Sequence, residues 1–385
     1  MKIVNIGINL MPSRGGIYRT VTSFTRAFAD LGYSGHVLNC GRSTESDGES
    51  QASWTFIKTS SLPVLKQYFF WPGFLTNAAR EAIGVPDLVF IHGLFYHAAV
   101  AVALYCRSLG IPYVLVGHGS LDPVVFTYRW IRKEVWTRIY RKRLLVQSSA
   151  VLFSTRAEAE KASKWTSGSK VQIIPWPVEH FPDYDKNRAM AMLLNRYDLP
   201  SQTRLALFCG RLDPIKRPLE TIRHFKATAG RGWVLLLVGP PTGGLSVEAV
   251  EAACRESGPP CIWVGPAYGQ NLMDHFRAAE LLILLSAKEN FSHATAEALA
   301  LGVPPFLSRG VDLWRELAPV DCSFVAPDDQ GAPLQAALAR VLSMDRDQLG
   351  AAGNRGREWV RKELSAERFA QRLEKLCEAL ACTRH

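Results

Sequence analysis

Two consecutive α/β domains, each built on a mostly parallel sheet, are predicted by three features of this 385-residue chain. Short apolar runs such as Leu281-Leu-Ile-Leu-Leu-Ser286 alternate with helical periodicity, the pattern of strands buried on both faces of a parallel sheet. The alternation breaks at the proline-rich, aperiodic segment Pro175-Trp-Pro-Val-Glu-His-Phe-Pro-Asp-Tyr-Asp-Lys-Asn187 and then restarts. The length also exceeds one ordinary core and suits two domains of roughly 170 to 190 residues.

In the first half, residues 2–9, 36–39, 87–92, 113–117, 150–154 and 171–174 read as strands. Helices are expected over 18–31 and 98–109, and a polar Ser/Glu/Asp/Gly stretch over 41–53. In the second half, strands fall at 204–209, 234–238, 261–264, 281–285, 304–307 and 323–325, with helices at 218–229, 247–256, 271–279, 294–301 and 334–342. A final long, charged helix is expected over 355–381. The implied domains are 1–175 and 188–358, joined by a linker at 176–187 and followed by a C-terminal helix over 359–385. Two Rossmann-like domains facing each other across a cleft follow, with a ligand between the carboxyl edges of their sheets.

Composition is globular, at 48% hydrophobic and 21% charged residues, without repeats or low-complexity bias. The opening Met1-Lys-Ile-Val-Asn-Ile-Gly7 enters a strand directly and lacks a signal-peptide pattern, and no stretch reaches the ~18 apolar residues of a membrane span. The expectation is a cytoplasmic protein, soluble or peripheral. Eight cysteines, Cys40, Cys106, Cys209, Cys254, Cys261, Cys322, Cys377 and Cys382, form no CxxC pair or Cys/His cluster, against zinc and against a disulfide framework.

A net charge of +10 and a pI near 9.3 favour anionic partners. Much of that charge is local: residues 129–143 hold seven Lys or Arg against one Glu, with Trp130, Ile131, Val135, Trp136, Ile139 and Tyr140 at near-helical spacing. Such a basic amphipathic helix either lies in a membrane interface or docks its apolar stripe on the domain core. No nucleic-acid module accompanies the charge, so nucleic acid is not the expected partner.

Glu289 and Glu297 bracket a strand-to-helix junction, with Ser292 as the expected N-cap, Gly302 as the helix stop and Pro304 beyond it. At the carboxyl edge of an open α/β sheet, helix N-termini present N–H groups to anions, which suits a phosphate-bearing ligand flanked by two carboxylates. One carboxylate would address a sugar ring and the other a ribose. Gly210-Arg-Leu-Asp-Pro-Ile-Lys-Arg217 brings Arg211 and Lys216 to the same edge, where a forked guanidinium and an ammonium suit a departing diphosphate. Gly15-Gly16, between the first strand and helix, supplies a bend where backbone approaches a diphosphate, although G-x-G-x-x-G is absent. His118 and His92 each follow a strand of the first domain, and His118 is the favoured functional histidine. Asp183-Tyr-Asp185 and Asp345-Arg-Asp347 match D-x-D but follow no buried strand, so no metal site is expected.

Glu289 to Glu297 followed by Ala-Leu-Ala-Leu-Gly-Val-Pro304, with Gly210-Arg-Leu212, Lys216 and Gly15-Gly16 upstream, resembles the retaining family 4 glycosyltransferases of the GT-B fold. The likeness is densest over 205–307. It implies that Arg211 and Lys216 bind the donor diphosphate, Glu289 faces the donor sugar and Glu297 binds ribose hydroxyls. It also implies that Gly16 and the backbone at Phe291 and Ser292 approach the phosphates, that His118 sits near the transferred sugar, and that the terminal helix returns to the first domain. The implied activity is metal-independent transfer of a hexose, with retention, from a UDP- or GDP-sugar donor to a hydroxyl of a glycan or lipid-linked acceptor, without a bound cofactor. Surface polysaccharide assembly at the inner face of the membrane is the implied setting. Asn290-Phe-Ser-His293 replaces the family's usual glycine-containing loop, and Arg217 stands where glycine commonly follows the lysine; both bear on donor choice. The competing readings are a GT-B-like epimerase or phosphorylase, and a non-catalytic peripheral membrane or scaffold protein.

Overall fold

The computed structural model describes residues 1–8, 10, 15–41, 53–58, 81, 84–127, 130–179, 181, 185–230, 232–328 and 331–381. Two compact units divide the chain: Met1–Pro177 with Ala366–His385, and Val178–Ser365.

Among the described residues, the first unit carries seven parallel strands: β1 (Lys2–Ile8), β2 (Ser34–Gly41), β3 (Ser53–Lys58), β4 (Leu88–His92), β5 (Tyr113–Val116), β6 (Ala150–Phe153) and β7 (Val171–Ile173). Their spatial order is β3-β2-β1-β4-β5-β6-β7, so the winding reverses between β1 and β4. Its helices include α1 (Gly16–Asp30), α2 (His97–Ser108), α3 (Pro123–Thr127), α4 (Trp130–Arg141), extended by a π-helical turn over Lys142–Val146, and α5 (Arg156–Thr166).

Among its described residues the second unit has six parallel strands, β8 (Arg204–Cys209), β9 (Trp233–Val238), β10 (Cys261–Gly265), β11 (Leu281–Leu284), β12 (Pro305–Leu307) and β13 (Phe324–Val325), in the order β10-β9-β8-β11-β12-β13. Here the winding reverses between β8 and β11. Its helices are α6 (Lys186–Arg196), α7 (Pro218–Thr228), α8 (Val247–Arg255), α9 (Gly269–Ala278), α10 (His293–Ala300), α11 (Trp314–Leu317), α12 (Gly331–Leu342) and α13 (Arg346–Glu363). The last helix, α14 (Ala366–Ala381), belongs to the first unit.

The central strands β4, β5, β9 and β11 are buried along their whole length, as continuous apolar runs require. In the first unit Phe24 of α1 is fully buried, with its ring centroid 5.1 to 6.0 Å from those of Phe28, Phe90, His92, Trp176 and Phe369. This edge-to-face cluster ties α1, β4 and α14 together. The thiols of Cys106, Cys261 and Cys377 are pushed up to about 12 by burial, which leaves them protonated small hydrophobes.

Several expectations need correction. The crossing from the first unit to the second, Pro177 to Val178, falls within the expected 176–187 linker, but that span also holds structure: Trp176 is buried in the aromatic cluster, and α6 begins at Lys186 with the Asp185 carboxylate accepting from Asn187 N–H. The terminal helix is two helices, ending one unit at Leu364 and resuming in the other at Ala366, since Leu364 is fully buried and each half serves a different core. Strand β3 and helix α5 were not foreseen; most of the polar 41–53 stretch before β3 lies outside the described residues, as does Arg129.

Helix α4 realises core docking on one face. Trp136, Thr137 and Tyr140 are buried, whereas Ile131, Val135 and Ile139 are 61%, 43% and 50% exposed. The exposed three recur at i, i+4 and i+8 and therefore form one stripe. Among the described residues, no helix is long and apolar enough to cross a membrane.

Phe24→Ala should cost about 3–5 kcal/mol of first-unit stability, because five rings lose a shared partner in a fully buried position. Chemical denaturation of wild type and variant measures it, and Phe369→Ala should shift the same transition, although the two positions are far apart in sequence.

Candidate functional site

Arg211, Lys216, Glu289, Phe291, Ser292 and Glu297 all gather at the carboxyl edge of the second sheet, where β8 and β11 diverge to opposite sides. Asp213 builds the loop after β8: its carboxylate accepts from the N–H groups of Ile215 and Lys216 at 3.0 and 3.1 Å, folding the chain so that Lys216 turns back. Lys216 Nζ then donates to Glu289 Oε1 at 2.6 Å, and Ser286 Oγ donates to the same oxygen at 2.8 Å. Both charged side chains are largely buried, at 17% and 10% exposure.

Burial by itself would raise the Glu289 carboxyl, but the Lys216 charge and hydrogen bond, with Ser286 and Ser292, hold it below its ordinary value. Glu289 is thus a carboxylate fixed by a cation, and the two residues expected to serve sugar and diphosphate separately are one ion pair. Backbone locks the same residue: Glu289 N–H donates to Gly310 C=O at 2.7 Å, and Asp312 N–H donates to Glu289 C=O at 2.8 Å. Gly310 admits no side chain, since a Cβ there would lie 2.2 Å from the Ser286 carbonyl oxygen.

Ser292 caps α10, accepting from Thr295 N–H in the left-handed conformation at φ 64°. Phe291 is buried at 2% exposure, and its ring meets His293 edge to face. Glu297 lies one turn into α10 and is buried at 9% exposure. Arg211 is an accessible cation at this edge, 63% exposed and 3.6 Å from the Asp213 carboxylate.

In the first unit, Gly15 precedes α1 at φ 68°, a conformation that favours glycine, and Gly16 begins the helix; residues 11–14 before them lie outside the described set. His118 follows β5, also left-handed at φ 47°. Its Nε2 lies 3.0 Å from Nδ1 of His92, whose Nε2 lies 3.2 Å from Asn5 Oδ1. With the Asn5 amide oriented so, His92 donates to Asn5 and accepts from His118. Burial first, and the His118 charge second, hold the His92 pKa well below the ordinary imidazole value, so His92 is the neutral middle of this chain.

Glu158, unforeseen in the sequence, braces the His118 loop. Its Oε1 accepts from Gly119 N–H at 2.6 Å, and its Oε2 from Ser154 N–H and Oγ at 2.9 and 2.7 Å. Thr155-Arg-Ala-Glu158 is a capping signature that marks the start of α5, since Thr155 Oγ1 accepts from Glu158 N–H. Asp122, likewise unforeseen near His118, is buried and pairs with Lys161 at 3.3 Å.

The D-x-D pairs serve as helix caps: Asp185 caps α6 and Asp345 completes a capping box with Gln348 on α13, while Asp183 lies outside the described residues. Among the described residues, no group of three or more His, Cys, Asp or Glu is placed to share a metal ion.

Lys216→Ala would leave Glu289 buried and unpaired, at a cost of about 3–5 kcal/mol to the second unit. In wild type the depressed carboxyl contributes stability that is present above the ordinary glutamate value and lost as pH falls through its lowered pKa. Without Lys216, burial dominates and the sign reverses, so lowering the pH from neutrality should stabilise the variant. Thermal unfolding midpoints across the acid range, wild type against Lys216→Ala, check the slope.

Residues 14–180 match the model of Glycosyltransferase Family 4, and residues 193–359 match that of Glycosyl transferases group 1. Similar chains include a D-inositol 3-phosphate glycosyltransferase from Segniliparus rotundus, 27% identical over 60% of this chain and 54% of that one. A putative teichuronic acid biosynthesis glycosyltransferase, TuaC of Bacillus subtilis, is 26% identical over 57% of this chain and 52% of its own. The chain thus spans about half the length of these relatives. Among solved structures, a sucrose-phosphate synthase from Thermosynechococcus elongatus superposes with a TM-score of 0.79 at 18% identity, covering 100% of both chains. Anabaena HepE in complex with UDP and glucose gives 0.72 at 14% identity, over 98% of this chain and 99% of that one. These likenesses show the fold, two Rossmann-like domains of the GT-B type. With both family models matched along most of its length, the chain belongs to the group 1, family 4 glycosyltransferases.

Proposed function

We propose that this chain is a retaining hexosyltransferase that moves a sugar from a UDP- or GDP-sugar to a hydroxyl of a glycan or lipid-linked acceptor, in surface polysaccharide assembly. The observation that carries the reading is the gathering of Arg211, the Lys216–Glu289 pair, the capped N-terminus of α10 and Glu297 at one sheet edge. Each part has a task in such chemistry. The exposed Arg211 guanidinium and the helix N-terminus meet the diphosphate as negative charge develops on it, without a resident metal. Lys216 stands between diphosphate and sugar while holding Glu289 ionised. Glu289 accepts from sugar hydroxyls and Glu297 from the ribose. His118, its proton placed by His92, hydrogen-bonds the transferred sugar, and Gly15 and Gly16 let backbone approach the phosphates. A leaving-group oxygen serves as base for the incoming acceptor, because the carboxylates near His118, Glu158 and Asp122, are committed to bracing loops.

The teichuronic acid biosynthesis named for one relative supports a polysaccharide setting, and the HepE complexes with UDP, glucose and UDP-glucose support the donor class. Helix α4 adds a membrane partner on the cytoplasmic side. Its exposed Ile131, Val135 and Ile139 stripe enters the headgroup region of an anionic bilayer, while the basic residues of 129–143 match lipid charge.

Thermal stabilisation by a panel of UDP- and GDP-sugars tests the donor reading, since a ligand that binds only the folded state raises the midpoint. One base should be preferred, and Glu297→Ala should weaken that ligand about 10- to 100-fold through lost hydrogen bonds to a charged group. A panel without any stabilising nucleotide sugar would defeat the proposal. For the membrane partner, Val135→Asp with Ile139→Asp should reduce co-sedimentation with vesicles rich in anionic phospholipid by at least about tenfold; unchanged co-sedimentation would remove α4 from the account.

A further inference from the structure

The second sheet has another built edge, opposite the one that carries Glu289. Because its strands are all parallel, Arg204 at the start of β8, Glu280 just before β11 and Pro304 just before β12 share the amino edge. There α6 and α13 flank an open groove of about 600 Å³, lined by Lys186, Asn187, Glu280, Gly302 and Arg346 among others. Its size falls within the roughly 300–1,000 Å³ typical of small-molecule sites.

The groove lining itself carries a positive excess, Lys186 and Arg346 against the single carboxylate of Glu280. Glu280 is buried and already committed on both oxygens: Arg204 Nε donates to Oε2 at 2.7 Å and Arg346 Nε to Oε1 at 3.0 Å. A single carboxylate between two guanidiniums leaves one positive charge over, before Lys186 at the rim and the nearby Arg357 are counted. Lys186 is exposed at the rim, and its pKa is lowered by desolvation against the groove wall and by repulsion from Arg357 and Arg346, with the Glu280 carboxylate opposing the shift. Arg204 and Arg357 each keep a buried N–H without an acceptor among the described residues, Nη2 and Nε respectively, although both guanidiniums are otherwise held, by Met344 C=O and Leu301 C=O. The N-termini of α6 and α13 open onto the same space and add partial positive charge. The acidic groups at these two helix starts are the caps Asp185 and Asp345, each engaged by a backbone N–H of its own helix, and Asp347 in the first turn of α13.

We propose that this groove is a second anion site, separate from the donor edge, which takes a phosphorylated small molecule of sugar-phosphate size. Lys186 and Arg346 provide the direct charge, Arg204 neutralises Glu280 from beneath, and the apolar part of the lining, Met190, Leu194 and Leu349, receives the uncharged body of the ligand. The ligand joins α6 and α13 across the sheet edge, so binding there tightens the second unit as a whole. This inference stands independently of the donor assignment.

Amide hydrogen exchange with pyrophosphate as the probe, at constant ionic strength, tests it site by site. Amides 186–191 and 346–350 should exchange about tenfold more slowly at ten times the dissociation constant. That protection should vanish in Lys186→Gln/Arg346→Gln, and in Arg346→Glu alone should that pair fold poorly, while protection at 292–296 on the donor edge persists. Protection confined to 292–296, or protection at 186–191 and 346–350 that survives both variants, would overturn the proposal. The donor edge is read in the same experiment from 292–296, so failure of one site is distinguishable from failure of the other.

Discussion

The buried contact between Lys216 and Glu289 is the constraint around which the second unit's working edge is organised. Two opposite charges out of water are tolerable only when each is fully partnered, and here the partners come from four separate chain segments. Asp213 folds the loop that turns Lys216 back; Ser286 at the end of β11 donates to the same carboxylate; the Ser292 cap lies beside it; and Gly310 closes on its backbone. Strands β8 and β11 must therefore be neighbours, and they are neighbours because the sheet reverses direction between them. A fold-level feature and a single ion pair enforce each other.

The first unit solves a comparable problem with neutral groups. His118 sits in left-handed backbone that Glu158 braces through Gly119, and its imidazole leans on a buried, neutral His92 that in turn reaches Asn5. The aromatic cluster around Phe24 holds this arrangement from behind and recruits Phe369 from the far end of the chain. One unit thus presents charge set by pairing and the other presents a tautomer set by burial.

Much of this was legible in the sequence, for identifiable reasons. Strands buried on both faces leave continuous apolar runs, so β8, β9 and β11 could be placed to within a residue or so. The Ser292 cap and the Gly302 stop marked α10, because caps act over three or four residues and are local by nature. What escaped was nonlocal or ambiguous. The partnership of Lys216 with Glu289 spans the chain between two loops, and neither loop alone discloses it. Helix α6 was hidden because its cap, Asp185, sits in a proline-rich stretch and looked like half of a metal motif. Helix α5 was missed despite its Thr155–Glu158 signature, since its surface is mostly polar and its periodicity weak. The basic helix α4 was read as either docked on the core or lying in a membrane interface; it buries Trp136 and Tyr140 on one face and exposes Ile131, Val135 and Ile139 on the other.

The central claim is that Lys216 and Glu289 act on the donor as one unit rather than as two independent contacts. A double-mutant cycle, with Lys216→Met, Glu289→Gln and the combination, read by calorimetric affinity for the preferred nucleotide sugar, addresses it directly. The account predicts that the losses are strongly non-additive, with a coupling of about 1 kcal/mol or more, because either single change already disrupts the shared arrangement. Losses that add to within about 0.5 kcal/mol would contradict it, and would mean that the two groups touch the donor separately.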